Sequence, residues 1–285
     1  MIAVVVPTNR PDKIKTFLKN WKGQFEMYGV GLFIVHDGDE PRVEHKGEKF
    51  TAKDILGKDA DLIYNKTDGV RNLGFALAYK LGYEIIISLD DDTAPYGDTI
   101  GDHLKALNNR YPISWLNTVD EVYMRGFPYG IREEAECVLS HGTWHGVADF
   151  DASTQLLYGT PEVTNRIMPV PKGILFPMCI MNVAFKRELM PFMYQAPMGW
   201  RVGLDRFADI WSGVTVKKAI DKMGKCAVTG YANVCHIRAS DPFVNLTKEA
   251  NGVKLNEGFW KGEETNYSKL YAKQLKRWQK FLKEE

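Results

Sequence analysis

Three consecutive carboxylates, Asp90, Asp91 and Asp92, directly follow the apolar run Ile85–Leu89. The run has the β-rich composition of a strand that is buried on both faces. Like charges this close together cannot be buried without protonation or a neighbouring cation. Carboxylate oxygens are preferred ligands of Mg²⁺ and Mn²⁺, and ligands of open α/β sheets collect at the carboxyl ends of the strands. Asp90 and Asp92 therefore predict a metal site that holds a diphosphate, with an acidic capping turn as the alternative.

The chain before this cluster predicts alternating strands and helices. Residues 2–6 are continuously apolar and predict a first buried strand, and residues 12–28 carry apolar side chains at helical spacing. Residues 31–35 predict a second strand, which completes a βαβ unit of a nucleotide-binding sheet. Polar residues follow both strands, namely Pro7, Thr8, Asn9 and Arg10 after the first and Asp37 after the second.

The remaining elements follow from the same patterns. The polar, lysine-rich residues 38–60 predict a loop or insertion, and the terminal segment NYSKLYAKQLKRWQKFLKEE predicts an amphipathic helix that packs on the domain or on a partner subunit. Helices are predicted at residues 69–81, 98–110 and 205–223, and short strands at residues 62–64, 226–228 and 231–235.

These elements predict an α/β fold class. We expect a GT-A-like, Rossmann-type nucleotide-sugar-binding fold with a mostly parallel central sheet flanked by helices. Residues 1–260 would form a single catalytic domain, with a nucleotide and metal half (1–95) and a sugar and acceptor half (96–260). Residues 261–285 would form the terminal helix.

Composition excludes several classes of protein. The 285 residues carry 37 basic and 36 acidic side chains, and this balance argues against nucleic-acid binding. The four cysteines have no CxxC spacing, so we expect reduced thiols in a cytoplasmic protein without a zinc site. No apolar run approaches the roughly 20 residues that span a bilayer. The terminal helix and aromatic loops leave a homo-oligomer open.

Long strings in the second half resemble one known family. RGFPYGIRE, SHGTWHGVADFDASTQL, PKGILFPMCIMNVAFKREL, ADIWSGVTVKKAIDKMG and HIRASDPFVNLTKE follow one another between residues 125 and 250. They resemble the reversibly glycosylated polypeptide family, whose plant members act as UDP-arabinopyranose mutases. IAVVVPTNR, IVHDGD and SLDDDTAP resemble it more loosely, and the chain departs from it at residues 39–66 and 193–206.

The resemblance implies a set of nucleotide and metal contacts. Asp90 and Asp92 would hold Mn²⁺ or Mg²⁺ against a UDP diphosphate, and His236 would complete the metal ligands, although a histidine after a strand is more often a core residue. Asp37 would recognise the uracil or ribose, with a turn aspartate as the alternative. The other expected nucleotide contacts are Pro7, Thr8, Asn9, Arg10 and Asp91. Arg71 and Asn72 are expected there as well because they precede the acidic strand, with an exposed helix arginine as the alternative for Arg71.

Four further residues are candidates for the sugar chemistry. Arg132 matches the arginine that becomes glycosylated in the family, and its guanidinium suits donation to phosphate or sugar oxygens; a surface pair with Glu133 or Glu134 is the alternative. Asp149 and Asp151 would contact sugar hydroxyls. Asp209 would face the acceptor, at a place where the family has two acids and this chain has one.

The expected function is a metal-dependent UDP-sugar mutase that interconverts pyranose and furanose forms of a UDP-pentose such as UDP-arabinose. No flavin is expected, because the chain lacks a GxGxxG after its first strand. The alternatives are a glycosyltransferase that passes a nucleotide-sugar donor to a protein or glycan acceptor, and a self-glycosylating carrier protein.

Overall fold

A computed structural model of the chain describes residues 1–117, 119, 121–159, 163, 165–237 and 241–284. Ten of the strands within these residues form one large sheet. With strands numbered in chain order, they are β1 (Ile2–Thr8), β2 (Gly31–His36), β3 (Arg42–His45), β4 (Glu48–Thr51), β5 (Ile85–Leu89), β7 (Arg110–Pro112), β8 (Glu134–His141), β10 (Met168–Pro169), β11 (Asn182–Lys186) and β12 (Cys226–Thr229). A small sheet contains β6 (Thr93–Pro95), β13 (Val234–His236) and β9 (Trp144–Gly146).

Helices cover both faces of the large sheet. The α-helices of the described residues are α1 (Pro11–Met27), α2 (Ala52–Leu56), α3 (Asn72–Lys80), α4 (Thr99–Leu107), α5 (Ala152–Tyr158), α6 (Ala208–Lys222), α7 (Pro242–Glu249), α8 (Val253–Lys261) and α9 (Asn266–Glu284). Short 3₁₀ helices lie at Gly57–Leu62, Asp68–Arg71, Tyr129–Ile131 and Arg187–Leu189.

The centre of the large sheet brings three strand ends together. β1 pairs in parallel with β2 on one side and with β5 on the other. Because parallel strands end at the same edge of a sheet, the residues after Thr8, His36 and Leu89 meet there. β11 lies antiparallel between β5 and β8, so its first residue, Asn182, begins at this same edge. The topology therefore gathers the predicted strand-end residues.

The α/β fold class is confirmed, but the sheet is mixed instead of mostly parallel. Parallel pairing is confined to β2-β1-β5 and to β8-β12, and the other pairs are antiparallel. The antiparallel pairs arise because β11 is inserted between β5 and β8 and because β3 and β4 form a hairpin at one edge. Period-2 patterns do not distinguish the two pairing directions, so the sequence prediction missed this feature.

The core lies on both faces of the sheet, as the apolar strands require. Along β1, Ala3 and Val5 pack with α3 and α9 on one face, while Val4 and Val6 pack with α1 on the other. This alternation follows from the two-residue period of a strand. The sheet is therefore rigid where its carboxyl edge carries the polar residues.

Two local predictions are wrong. Residues 38–60 were predicted as a loop or insertion, and the loop is wrong because they contain the β3–β4 hairpin and α2. Their composition is polar because edge strands expose one side. Residues 62–64 form no strand. Their buried side chains instead pack near α9, where Gln274 donates to the Tyr64 hydroxyl, 3.1 Å away.

The terminal amphipathic helix is confirmed as α9, and it packs on the domain. Tyr271, Trp278, Phe281 and Leu282 are buried in the core. The Trp278 Nε1–H donates to the Met190 carbonyl at 2.9 Å. No helix of the described residues is both long and apolar enough to cross a membrane. The division into a nucleotide half and a sugar half stays a prediction.

We predict opposite effects of Gly→Ala substitution at two helical positions. A Cβ at Gly74 would lie 2.5 Å from Val5 Cγ1 and 2.9 Å from Val35 Cγ2, so G74A should destabilise the protein by about 1–3 kcal/mol through overpacking. Gly23 in α1 has open space around it, so G23A should stabilise by about 0.5–1 kcal/mol. Thermal unfolding of both variants checks the pair, and equal effects would contradict the close approach of α3 to β1.

Candidate nucleotide-sugar site

Two neighbouring cavities form one cleft at the carboxyl edge of the sheet. Their volumes are about 870 and 270 Å³, and we call them the larger and the smaller cavity. The residues that line both are Asp68, Arg71, Asp90, Arg206 and Lys248. Of the other residues predicted from sequence, the larger cavity is lined by Asp92, Asp149, Asp151, Asp209 and His236, and the smaller by Pro7, Thr8, Asn9, Arg10, Asp37 and Asp91.

The smaller cavity is built from the ends of β1 and β2. The Asp37 N–H donates to the Thr8 carbonyl at 2.8 Å, which joins the two strand ends. The Asp37 Oδ1 accepts from the Lys66 N–H at 2.8 Å. Burial raises the pKa of the Asp37 carboxyl, partly offset by this backbone donor. Asp37 thus offers a fixed carboxylate beside the polar loop Pro7–Arg10.

Each carboxylate of the acidic cluster has a guanidinium beside it. Arg10 contacts both oxygens of Asp91 and lies 3.1 Å from Asp92 Oδ2. Arg71, only 2% exposed, lies 2.8 Å from Asp90 Oδ1. Asp91 is 4% exposed and also accepts from the Thr8 hydroxyl at 2.5 Å. Asp91 therefore anchors the cluster, while Asp90 and Asp92 line the larger cavity.

The small sheet places His236 next to Asp92. β13 pairs with β6, and the Ile237 N–H donates to the Asp92 carbonyl at 3.1 Å. β13 also pairs with β9, whose last residue is Gly146. Gly146 has φ +86°, and a Cβ there would lie 2.7 Å from the His236 carbonyl oxygen. Glycine is therefore required at position 146 for β9 to approach β13 this closely.

The donor chemistry at His236 fits a divalent cation. Its Nδ1 lies 2.8 Å from the Val147 carbonyl, which can only accept, so in the neutral imidazole Nδ1 carries the proton and Nε2 has the free lone pair. Nε2 lies 3.7 Å from Asp92 Oδ1. Burial, followed by the charge of Asp90, raises the pKa of the Asp92 carboxyl, as expected where a cation would compensate the charge. Within the described residues, however, no three His, Cys, Asp or Glu side chains are grouped closely enough to hold a metal ion. The metal site stays a prediction.

A pair of carboxylates lines the larger cavity beside residues 179 and 180. The Cys179 thiol donates to Asp149 Oδ2 at 2.9 Å, and the Ile180 N–H donates to Asp209 Oδ2 at 3.3 Å. Burial, and then the charges of Asp68 and Asp149, hold the pKa of Asp209 well above its usual value. An acid that keeps its proton beside a second carboxylate is a common arrangement for proton transfer.

Asp151 lines the larger cavity and also caps a helix. Its Oδ1 accepts from the Thr154 N–H at 3.0 Å, and its Oδ2 accepts from the Thr154 hydroxyl at 2.6 Å, at the start of α5. These bonds satisfy a free N–H of the first helical turn. The predicted contact of Asp151 with sugar hydroxyls stays a prediction.

Asn72 does not join the other candidates. It has no exposed surface and lines neither cavity. Its side chain instead bonds the Gln195 backbone twice, with Nδ2 donating to the carbonyl at 3.3 Å and Oδ1 accepting from the N–H at 3.0 Å. The predicted nucleotide contact is therefore corrected to a clamp between α3 and the segment around Gln195.

Arg132 also lies outside the lining of both cavities. Its Nη2 donates to the Phe127 carbonyl at 2.8 Å, and its guanidinium lies 3.8 Å from the centre of the Tyr129 ring. Glu133 was the alternative partner of Arg132 in a surface pair, but its Oε2 lies 2.9 Å from Lys172 Nζ instead. The role of Arg132 stays a prediction.

Several lining residues were not predicted from sequence. His141, at the end of β8, lines the larger cavity with its pKa lowered by burial to about 3. Trp211, by contrast, lines neither cavity: it is 1% exposed and stacks on Phe259 in the core. Other lining residues that were missed include Asp68, Arg206, Lys248, Glu249, Glu257 and Trp260. For some of them the family strings offered a signal. His141 stands within SHGTWHGVADFDASTQL, and Lys248 and Glu249 stand within HIRASDPFVNLTKE, whose residues 238–240 lie outside the described residues.

Comparisons with known proteins agree with one another on the family. The family model for "Reversibly glycosylated polypeptide" matches residues 1–262. UDP-arabinopyranose mutase 3 of Arabidopsis thaliana is 36% identical over 285 residues, and the match covers 91% of this chain and 75% of the relative. Probable UDP-arabinopyranose mutase 1 of Pisum sativum is 35% identical over 285 residues, with the same shares covered.

Among solved structures, the chain is similar to a mutant of Drosophila β-1,4-galactosyltransferase 7 in complex with manganese, UDP-Gal and xylobiose. The identity is 13% and the TM-score 0.41, and the match covers 84% of this chain and 71% of that chain. This similarity is too low to support an argument. The family match extends over both cavities and the whole large sheet, and the chain belongs to the reversibly glycosylated polypeptide family.

Proposed function

We propose that this chain is a metal-dependent UDP-sugar mutase, which interconverts pyranose and furanose forms of a UDP-pentose such as UDP-arabinose on a GT-A-type fold. The observation that carries the proposal is the continuous cleft, with the ends of β1 and β2 at one side, the acidic cluster between, and the Asp149–Asp209 pair at the other. The choice of UDP and arabinose follows from the relatives, which are named UDP-arabinopyranose mutases.

The nucleoside binds in the smaller cavity. Asp37 accepts hydrogen bonds from the uracil or the ribose, and the Pro7–Arg10 loop surrounds it. Asp90, Asp92 and His236 would hold Mn²⁺ or Mg²⁺. A bound divalent cation neutralises phosphate charge and so makes the nucleoside diphosphate a better leaving group. No flavin takes part.

Ring interconversion needs one proton to leave a sugar hydroxyl and one to reach the former ring oxygen. The bond between C1 and the diphosphate oxygen breaks, which leaves an oxocarbenium-like sugar while UDP stays bound. A second hydroxyl then bonds to C1, the bond from C1 to the old ring oxygen breaks, and UDP adds back to C1. Asp149, which already accepts the Cys179 thiol proton in a hydrogen bond, takes the hydroxyl proton, and Asp209, whose raised pKa favours its protonated form, supplies the other.

We also propose that the protein is cytoplasmic. All four cysteines of the chain are free thiols, two of them fully buried, which suits a reducing compartment. Self-association of the chain is left as a prediction.

The first test is ring interconversion without an acceptor. Purified protein with Mn²⁺ and UDP-arabinopyranose should form UDP-arabinofuranose, and isotope in the bridging oxygen of the anomeric phosphate should scramble. Chelation of the metal should abolish both, and D92N should lower kcat about 100-fold or more, since a ligand carboxylate is lost. D12N, a matched change at an exposed carboxylate in α1, should leave kcat unchanged.

Two outcomes would contradict the mutase. Transfer of sugar to an added glycan or protein without any ring interconversion would favour the glycosyltransferase. Slow hydrolysis alone, without scrambling, would leave no support for either activity in this cleft.

D209N should change the stability of the protein in a way that depends on pH. The pKa of Asp209 is raised in the folded state, so the folded protein holds this proton more tightly, and stability falls as the pH rises above the unfolded pKa. Asparagine mimics the neutral form and should raise the free energy of unfolding by about 1 kcal/mol at pH 8, or about 2–3 °C in Tm. Below pH 4 the two proteins should unfold alike. A Tm gain that is equal at both pH values would contradict the raised pKa.

The third prediction separates self-glycosylation from turnover. R132K keeps the positive charge but removes the planar guanidinium that lies against Tyr129. Because Arg132 lines neither cavity, isomerisation should stay within about twofold of the unmodified protein, while incorporation of sugar label into the protein is lost if this is the modified residue. A large fall in kcat would show instead that Arg132 reaches the reacting sugar.

A further inference from the structure

We propose that Arg206 and Lys248 bind the diphosphate of the nucleotide substrate at the junction of the two cavities. This inference rests on the proposed function in one respect, namely that the substrate carries a nucleoside diphosphate. Five residues line both cavities, and three of them are cationic: Arg71, Arg206 and Lys248. A ligand that extends from the nucleoside end to the carboxylate pair must pass these residues.

The first of these cations is committed to the protein itself. Arg71 donates from Nη1 to the Ser88 hydroxyl and from Nη2 to Asp90 Oδ1, both at 2.8 Å, and it is 2% exposed. Arg10, the cation of the smaller cavity nearest the acidic cluster, is likewise held by Asp91 and Asp92. These two arginines are already paired with the carboxylates, although the buried Nε of Arg71 has no hydrogen-bond partner within the described residues.

Lys248 has no such commitment. It lies in the last turn of α7 with its side chain exposed, and no carboxylate of the described residues lies within ion-pair distance of its ammonium group. Its neighbour Glu249 turns inward instead, where its Oε2 accepts from the Ala152 N–H at 2.9 Å. The start of α5 therefore holds the end of α7 in place, and Lys248 is left facing both cavities.

The position of Arg206 is fixed by its backbone conformation more than by contacts of its side chain. Its φ of +72° lies in the left-handed region, which a residue with a Cβ rarely adopts. The Asp205 Oδ1 accepts from the Arg206 N–H at 2.9 Å and supports this conformation. Within the described residues the guanidinium makes one ion-pair contact, 3.8 Å from its Nε to Glu249 Oε1, and its charge also favours the ionised form of Asp68. Most of its donors are therefore available, and the strained backbone directs this cation to the junction.

The charge of the junction requires added cations for an anionic ligand. Asp68 and Asp90 line both cavities and Asp92 lines the larger, so a diphosphate entering here meets carboxylates of its own sign. Arg10 and Arg71 offset part of the carboxylate charge, and one divalent cation cannot compensate both the remaining carboxylates and the phosphates. Arg206 and Lys248 supply the remaining positive charge as a fork donor and a point charge, the two forms in which proteins bind phosphate.

Binding measurements with UDP and with uridine test this assignment. Calorimetry with Mn²⁺ present should show that R206Q and K248Q each weaken UDP binding about tenfold, since each loses a charge-assisted contact, while uridine binding is unchanged. The UDP affinity of both variants should also depend less on salt concentration. K254Q removes an exposed lysine of α8 that lines neither cavity, and it should bind UDP like the unmodified protein.

R206G separates binding from folding. Glycine adopts φ +72° without strain, so this variant should unfold at the same or a higher temperature and still lose UDP affinity about tenfold. Equal affinities of all variants for UDP would overturn the inference and leave the mutase intact. Parallel loss of UDP and uridine affinity would also overturn it, since the residues would then act on the nucleoside end.

UDP binding and ring interconversion are measured separately, so the two proposals can fail independently. If the unmodified protein binds no UDP, both proposals fail. If UDP binds, R206Q and K248Q weaken it selectively, and no ring interconversion occurs, the diphosphate site stands while the proposed reaction fails.

Discussion

Two arginines compensate three adjacent carboxylates at the end of β5, and the site depends on this compensation. Asp90 is paired with the buried Arg71, and Asp91 and Asp92 are paired with Arg10. Removing one partner of a buried ion pair commonly destabilises a protein by about 3–5 kcal/mol, because the other charge is then unpaired. The partners come from two separate segments, Arg10 from the loop after β1 and Arg71 from the turn before α3. The pairing therefore fixes the spatial relation of these loops.

The same arrangement divides the three carboxylates by role. Asp91 is turned inward between Arg10 and Thr8, whereas Asp90 and Asp92 line the larger cavity. β13 then brings His236 beside Asp92 by pairing with β6, which directly follows the cluster. Three elements thus supply polar groups to a single region: the end of β5, the loop after β1, and β13 from the C-terminal half. The two-sided core of the sheet holds them there.

Sequence reasoning predicted the parts of this site that depend on local pattern. The strand Ile85–Leu89 has the bounds expected from its apolar run, and the polar residues after β1, β2 and β5 meet because parallel strands end at one edge. Contacts between distant segments could not be predicted in this way. Asn72 was expected at the nucleotide because it precedes the acidic strand, yet its amide is used by Gln195, 123 positions later in the chain. Arg206 has no local signature at all, because its place depends on a left-handed backbone that the residue type does not favour.

The central claim is that Asp90, Asp92 and His236 form a metal site that is completed by a nucleoside diphosphate. Electron paramagnetic resonance titration of Mn²⁺ tests it most directly, with and without UDP. Binding must be reciprocal, because each ligand stabilises the other to the same extent. We expect weak binding of one Mn²⁺ per chain alone, about tenfold or more tighter binding with UDP, and loss of this coupling in H236A. Mn²⁺ binding that is absent, or that is unaffected by UDP and by H236A, would contradict the account.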